Sequence, residues 1–166
     1  MRTPEIAFVA LGSNLGNSID IVSKAMAELQ SLSGKPLLKS SLWQSTPVDC
    51  PPGSLPFINA VAALEPRPGE TPVALLRKLR ALERQFGRQP KKIVNEPRLL
   101  DLDLISFGSR MMNSTDLILP HPRAHLRRFV LQPLSEIAPD FVLPRQTKTV
   151  RQLLHALKSE EKLRQV

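Results

Sequence analysis

Two aspartates in one short apolar run are the residues best suited to chemistry. In Leu100-Asp101-Leu102-Asp103-Leu104 carboxylates alternate with leucines, and this alternation predicts a strand with one acidic and one apolar face. Neighbouring positions on the same face are roughly 7 Å apart, so the carboxylates repel each other unless a cation lies between them. Either Mg²⁺ or an arginine cluster meets that need. The alternative is an ordinary exposed edge strand.

A basic segment precedes this strand and contains Arg88, Lys91, Lys92 and Arg98. Arginine and lysine bind phosphate oxygens, whereas Mg²⁺ takes one or two carboxylates together with substrate phosphates. The combination of acid and base therefore predicts a magnesium-nucleotide site, where cations neutralise charge on a group in transfer. The alternative for the basic segment is a solvated run of charge.

Three other features each have a structural and a functional interpretation. The segment Gly12-Ser13-Asn14-Leu15-Gly16 matches no phosphate-loop pattern, so we predict a strand-to-helix turn that needs glycine for conformational reasons. Asn59 interrupts an apolar run, where it either satisfies neighbouring backbone or recognises a ligand. His121 lies between two prolines. It is either a surface-turn residue or a donor to phosphate.

The spacing of apolar residues along the chain predicts the helices and strands that must position these residues. Two amphipathic helices are predicted, the first capped by Asn17 or Ser18 and stopped at Gly34, the second capped by Thr71 and stopped at Gly87. On the second helix the basic residues are predicted to face water; they are Arg77, Lys78, Arg80 and Arg84. The predicted strands are 6–11, 37–46, 57–64 and the run around Asp101, with long loops at 47–56 and 88–98.

The order strand, helix, strand, strand, helix, strand predicts an α+β, ferredoxin-like βαββαβ sandwich with an antiparallel sheet. We expect its helices to cover one face only. A C-terminal extension follows, with short extended pieces at 110–112 and 117–119 and a helix near 150–163.

Composition narrows the class of protein. With 166 residues, the whole chain, 1–166, is expected to be one domain. The net charge of +8 suits nucleic acid or a small polyanion, but the aromatics are six Phe and one Trp, which disfavours the stacking platforms of nucleic-acid binders. The sequence has no apolar run of roughly 20 residues and one cysteine, Cys50, so we expect a cytoplasmic protein without membrane span or internal disulfide.

Several motifs together carry a resemblance over nearly the whole chain. They are Ala10-Leu11-Gly12-Ser13-Asn14-Leu15-Gly16-Asn17, Ser45-Thr46-Pro47, Phe57-Ile58-Asn59-Ala60-Val61, Leu82-Glu83-Arg84-Gln85-Phe86-Gly87-Arg88, Pro97-Arg98-Leu99-Leu100-Asp101-Leu102-Asp103-Leu104, Leu119-Pro120-His121-Pro122-Arg123 and Arg127-Arg128-Phe129-Val130-Leu131. This set resembles the 6-hydroxymethyl-7,8-dihydropterin pyrophosphokinases of folate biosynthesis. The run around the two aspartates, with the Leu-Pro-His turn downstream, is its most specific part.

The resemblance implies transfer of pyrophosphate from ATP to the hydroxymethyl oxygen of a reduced pterin, leaving AMP. It implies two Mg²⁺ ions on Asp101 and Asp103, with Arg88 and Arg98 as further catalytic residues. The residues it implies for ATP are Glu83, Arg88, Arg98, His121 and Arg127. Those it implies for the pterin are Thr46, Pro47, Val48, Phe57, Asn59 and Phe129. ATP and the pterin are the expected partners of a monomer that binds neither nucleic acid nor membrane.

Two rival functions use a similar fold. An RNA-binding module would need stacking aromatics on an exposed sheet face. A regulatory small-molecule domain would have no need of paired aspartates beside arginines.

Overall fold

The computed structural model of the chain describes residues 4–47, 50–87 and 99–166. Four α-helices occur in these ranges: α1 (Ser18–Leu29), α2 (Pro72–Gln85), α3 (Arg128–Ile137) and α4 (Val150–Ala156). The strands described are β1 (Ala7–Ser13), β2 (Leu38–Lys39), β3 (Trp43–Ser45), β4 (Phe57–Leu64), β5 (Asp101–Phe107), β6 (Met112–Asn113), β7 (Ile118–Leu119) and β8 (Leu163–Gln165).

The main sheet is antiparallel and has the strand order β5-β1-β4-β3-β8, with β2 also paired to β4. β6 and β7 form a separate two-stranded sheet. Up to β5 the chain thus follows the predicted order of strands and helices, except that the predicted strand 37–46 is divided into β2 and β3. The molecule is a mixed α/β structure with helices packed on an antiparallel sheet.

The first face of the sheet is covered by α1 and α2. Leu102 and Leu104 of β5 are buried there, as their alternation with the aspartates predicts, together with Leu29 of α1 and Leu79 of α2. The predicted helix starts are confirmed as well. Asn17 accepts a hydrogen bond from the first turn of α1, and Thr71 does so for α2, where Pro72 occupies the first helical turn.

The second face is covered by α3 and α4, so the prediction that helices cover only one face is wrong. The reason is that alternate residues of β1 and β4, such as Phe8 and Val61, make this face apolar too. They are buried against Leu131 and Leu134 of α3 and Val150 of α4.

Two local predictions are also corrected. The helix predicted over 150–163 ends at Ala156, because residues 158–162 are polar on every side and offer no apolar stripe; β8 follows at Leu163–Gln165. Gly12 is not part of a turn. It lies within β1, whereas Gly16 has the positive φ of 74° that requires glycine. Within the described ranges no helix is long and apolar enough to span a membrane.

Candidate active site

The pairing register places the acidic strand and Asn59 on the same face of the sheet. Asp101 pairs with Gly12, and Gly12 pairs in turn with Asn59. Since paired strands are about 4.8 Å apart, the backbones of Asp101 and Asn59 are separated by about 10 Å. The next row on this face contains Asp103, Ala10 and Val61. A carboxylate pair and an amide therefore share one surface with only small side chains between them.

Gly12 forms the floor between these groups. A Cβ atom added at this position would lie 3.5 Å from Oδ1 of Asn59. A larger side chain would therefore cover the space beside the amide. The glycine therefore places no side chain between Asn59 and Asp101 in this row.

Burial and a neighbouring carboxylate disfavour the ionised form of Asp103. Burial and then repulsion from Asp101 raise its pKa to about 6, although the charges of Arg80 and Arg127 oppose the rise. A divalent cation between two carboxylates removes that repulsion, because it is attracted to both. The two oxygen-donor groups thus fit Mg²⁺.

Asp101 and Asp103 offer two carboxylates to a metal ion. Within residues 4–47, 50–87 and 99–166 no group of three or more His, Cys, Asp and Glu is suited to holding a metal. Mg²⁺ keeps several waters and binds through one or two carboxylates plus substrate phosphates. Asp101 and Asp103 are sufficient for such an ion.

Two residues of α2 hold the peptide between the aspartates. Glu83 is fully buried and its Oε2 accepts a 2.8 Å hydrogen bond from the Leu102 N–H. Arg80 Nη1 donates to the Leu102 carbonyl and to Glu83 Oε1, both at 2.8 Å. The backbone N–H and the carbonyl of Leu102 are therefore both bound by α2. These bonds fix the strand that carries Asp101 and Asp103.

A cavity of about 240 Å³ opens beside Asp103. Its lining includes Arg80, Thr115, Asp116 and His121. Arg80 was predicted to face water, but its guanidinium reaches from α2 to the cavity and to β5. A recess with a carboxylate, a guanidinium and an imidazole suits a polar, charged ligand.

His121 is neutral near pH 7. Burial and then the charge of Arg127 lower its pKa to about 4. Its Nδ1 accepts a 3.1 Å hydrogen bond from the Arg123 N–H, so the proton of the neutral ring is assigned to Nε2. The ring therefore presents an N–H donor, which suits an oxygen of an anionic ligand.

The amide side of the site is held by β3. Nδ2 of Asn59 donates a 2.7 Å hydrogen bond to Oγ of the buried Ser45. Phe57 lies two residues before Asn59 on β4, so both side chains point to the same face. Thr46 and Pro47 continue from the end of β3. An oriented amide next to an aromatic ring suits a flat ligand with a hydrogen-bonding edge.

Arg127 and Phe129 enter this face from the start of α3. The Arg127 guanidinium lies 5.3 Å from the centroid of the Phe129 ring. Phe129 packs against the apolar cluster of the second face, and Arg127 acts electrostatically on both Asp103 and His121. The start of α3 thus offers an aromatic surface and a positive charge to the same side of the sheet.

Five predicted residues lie outside the described residues: Val48, Arg88, Lys91, Lys92 and Arg98. The sequence interpretation missed two others, Gly12 and Arg80. The spacing of three between Arg80 and Glu83 is a signal for an ion pair on one helix face. The role of Gly12 depends on strand register and has no local signal.

Comparisons with known proteins identify the family. Residues 8–139 match the model of the 7,8-dihydro-6-hydroxymethylpterin-pyrophosphokinase (HPPK) family. A 2-amino-4-hydroxy-6-hydroxymethyldihydropteridine pyrophosphokinase from Synechocystis sp. is 41% identical over 148 residues, which are 89% of this chain and 74% of that protein. The protein of the same name from Haemophilus influenzae is 37% identical over 139 residues, 83% of this chain and 84% of that protein.

Solved structures agree in fold. A Plasmodium falciparum HPPK-DHPS triple mutant crystallised with pteroate superposes with a TM-score of 0.72 at 14% identity, over 92% of this chain and 43% of that chain. The chain thus spans less than half the length of that two-part protein. On the family match and the two bacterial relatives, this chain belongs to the 7,8-dihydro-6-hydroxymethylpterin-pyrophosphokinase family.

Proposed function

We propose that the face of the sheet carrying Asp101, Asp103 and Asn59 transfers pyrophosphate from ATP to 6-hydroxymethyl-7,8-dihydropterin. Membership of the family makes the chain a pyrophosphokinase of folate synthesis, an ATP-dependent diphosphotransferase. The observation that carries the proposal is the register that puts Asp101, Gly12 and Asn59 in one row. Nucleotide phosphates and a planar ring would meet above Gly12.

In the proposed reaction the pterin hydroxyl oxygen forms a bond to the β-phosphorus of ATP. The bond from that phosphorus to the oxygen bridging the α-phosphorus breaks, AMP leaves with the bridging oxygen, and the hydroxyl proton passes to solvent. Catalysis consists mainly of positioning the two substrates and neutralising phosphate charge.

Asp101 and Asp103 are the proposed ligands of Mg²⁺, which kinases generally use with ATP. We propose two ions. When bound, magnesium supplies positive charge to the phosphates and lowers the repulsion they offer to the attacking oxygen. The pKa of Asp103, raised by burial and by repulsion from Asp101, supports this assignment, because a cation bound between the carboxylates would offset that repulsion.

The nucleotide side is proposed to include Glu83, His121 and Arg127. His121 and Arg127 offer an N–H donor and a positive charge next to Asp103. Glu83 contributes through the hydrogen bonds that hold β5. Arg88 and Arg98, which lie outside the described residues, remain the proposed catalytic arginines.

The ring side is proposed to consist of Thr46, Pro47, Phe57, Asn59 and Phe129. Phe57 and Phe129 provide aromatic surface on the same face of the sheet, and the amide of Asn59 reads the edge of the ring. Val48, outside the described residues, completes the proposed set.

We also propose the finer points of architecture and setting. The strand order β5-β1-β4-β3 with two intervening helices supports a ferredoxin-like βαββαβ sandwich with a C-terminal extension. The proposed chain is a single domain, 1–166, and a cytoplasmic monomer. Its partners are ATP and the pterin rather than nucleic acid or membrane, since polyanionic ATP accounts for the positive charge of +8.

The test is to incubate the chain with ATP, Mg²⁺ and the reduced hydroxymethylpterin and to separate the nucleotides by chromatography. We expect AMP and pterin diphosphate in equal amounts, and no product when Mg²⁺ is chelated. Formation of ADP would indicate transfer of one phosphoryl group and contradict the proposal. Absence of any pterin-dependent loss of ATP would contradict it as well.

A further inference from the structure

The last ten residues of the chain lie beyond the segment matched by the family, which ends at 139. They return along the edge of the sheet and pair with β3, with Leu163 opposite Ser45 and Gln165 opposite Trp43. The ladder is extended by Lys162. Its carbonyl accepts from the Thr46 N–H at 3.2 Å and its N–H donates to Oγ1 of Thr46, also at 3.2 Å. The segment is thereby bound to Thr46, one of the residues proposed for the ring.

The preceding residue, Glu161, is bound to the start of α3. α3 begins at Arg128, and its N-cap residue, Arg127, makes no side-chain capping bond. Instead, Oε2 of Glu161 accepts a 3.3 Å hydrogen bond from the N–H of Phe129, 32 residues away. A carboxylate at this end of a helix also interacts favourably with the helix dipole. Glu161 therefore serves as the missing cap.

The surroundings of Glu161 agree with a structural anchor. Burial raises its pKa, while the backbone groups of Phe129 and Arg128 and the charges of Arg127 and Arg128 oppose that rise. Arg128 Nη2 also donates to the Leu157 carbonyl at 3.1 Å. The start of α3 is therefore held twice by the segment that follows α4.

α3 has a second anchor at its other end. Trp43 Nε1 donates to Oε1 of Glu136 at 2.6 Å, and the backbone N–H of Ser41 donates to the same carboxylate. This contact joins the last turns of α3 to β3. The first turn, which carries Phe129, is held by Glu161 and by the Leu157 carbonyl.

We infer that Glu161 and Lys162 form a bridge that fixes the separation between Thr46 and Phe129, two of the residues proposed for the ring, with Glu161 as a positioning residue. The inference rests on the proposed function. Consecutive Cα atoms are about 3.8 Å apart, so two adjacent residues with these contacts permit little movement of Thr46 relative to Phe129. Without the cap, the first turn of α3 frays and Phe129 loses its fixed position.

The test compares Glu161→Ala, which removes the acceptor, with Glu161→Gln, which retains an oxygen acceptor for the Phe129 N–H. Glu160→Ala is the matched control, because Glu160 is the adjacent exposed carboxylate. For Glu161→Ala we expect the KM for the pterin to rise about tenfold, with the KM for ATP changed less than about twofold. Glu161→Gln should restore the pterin KM to within about threefold of wild type, and Glu160→Ala should leave it unchanged.

Hydrogen exchange gives an independent readout. Faster exchange of the Phe129 amide in Glu161→Ala, with the core of β1 still protected, is expected. If that variant does not fold, Lys162→Pro cuts the other arm of the bridge by removing the N–H that donates to Oγ1 of Thr46, and the same selective rise in pterin KM is expected.

The outcomes separate the inference from the proposed function. If wild type produces AMP but the folded variants keep their pterin KM, the bridge is structural only and the inference fails while the function stands. An equal rise in both KM values would also overturn it. If wild type produces no AMP, the proposed function fails, and the inference fails with it.

Discussion

The acidic end of the candidate site and its ring end are built in different ways. Asp101 and Asp103 lie two residues apart on one strand, and one helix holds that strand through Arg80 and Glu83. The ring end combines β3, β4, the start of α3 and the C-terminal segment. The proposed metal ligands thus lie on one short stretch of sequence, whereas the side chains proposed for the ring come from segments far apart in the chain.

The difference has a physical basis. Two carboxylates that share an ion need the fixed spacing of one strand face, and alternation supplies it. A planar ring needs surfaces on both sides and a hydrogen-bonding edge, which a single element does not provide. Gly12 lies between the two ends and places no side chain in the row that joins them.

The largest effect is expected at the acidic end. Asp103→Ala or Asp101→Ala should lower the rate of AMP formation by roughly a thousandfold, since the proposed ion loses a ligand. The fold should be retained, because neither carboxylate belongs to the buried leucine face. AMP assays and circular dichroism measure the two properties. The control is Asp140→Asn, at an exposed aspartate that pairs with Arg151. Wild-type turnover by both alanine variants would contradict the metal assignment.

At the ring end, Asn59→Ala should raise the KM for the pterin by about a hundredfold, because the edge of the ring then lacks its donor and acceptor. Ser45→Ala, which leaves the amide but removes its 2.7 Å partner, should raise it by only about threefold. Initial rates at varied pterin concentration distinguish the two. Equal effects of both substitutions would mean that Asn59 acts through packing alone.

The support of the acidic strand can be tested by stability. Glu83→Ala leaves the buried Leu102 N–H without its acceptor and should lower the free energy of unfolding by about 2 kcal/mol. Arg80 is 40% exposed, so water solvates its released guanidinium and adds little to the loss. Denaturant unfolding measures this free energy of unfolding. Glu65→Ala, at a less buried glutamate, is the control. An unchanged midpoint would show that α2 does not hold β5 through this pair.

The smallest effect is expected at the row between the two ends. Gly12→Val should raise the pterin KM by about tenfold, because its methyl groups cover the floor beside Asn59, while a strand tolerates valine well. Gly12→Ala should change it by less than about threefold, since a single Cβ atom at 3.5 Å from Oδ1 makes an ordinary contact. A similar KM for wild type and the valine variant would place the ring away from this row.

The sequence predicted the local parts of the molecule well. The alternation around Asp101, the cap at Asn17 and the Thr71-Pro72 helix start all depend on neighbours in the chain, and the structure confirms them. Binding roles for these and the other site residues stay predictions. What the sequence did not disclose depends on distant contacts.

Three residues illustrate that limit. Arg80 falls on the polar face of α2, and only the packing of α2 on β5 turns it toward Leu102. Gly12 resembles a turn glycine until its partners Asp101 and Asn59 are known. Glu161 lies in a polar segment without periodicity, so nothing nearby predicts that it caps a helix 32 residues away.

Steady-state kinetics of Asp103→Asn and Asn59→Ala, with each substrate varied in turn, test the division of the site most directly. For Asn59→Ala we predict that the loss lies in the pterin KM and that kcat stays within about threefold of wild type. For Asp103→Asn we predict a loss in kcat that no concentration of pterin restores. Recovery of Asp103→Asn at high pterin, or a loss in Asn59→Ala confined to kcat, would contradict the account.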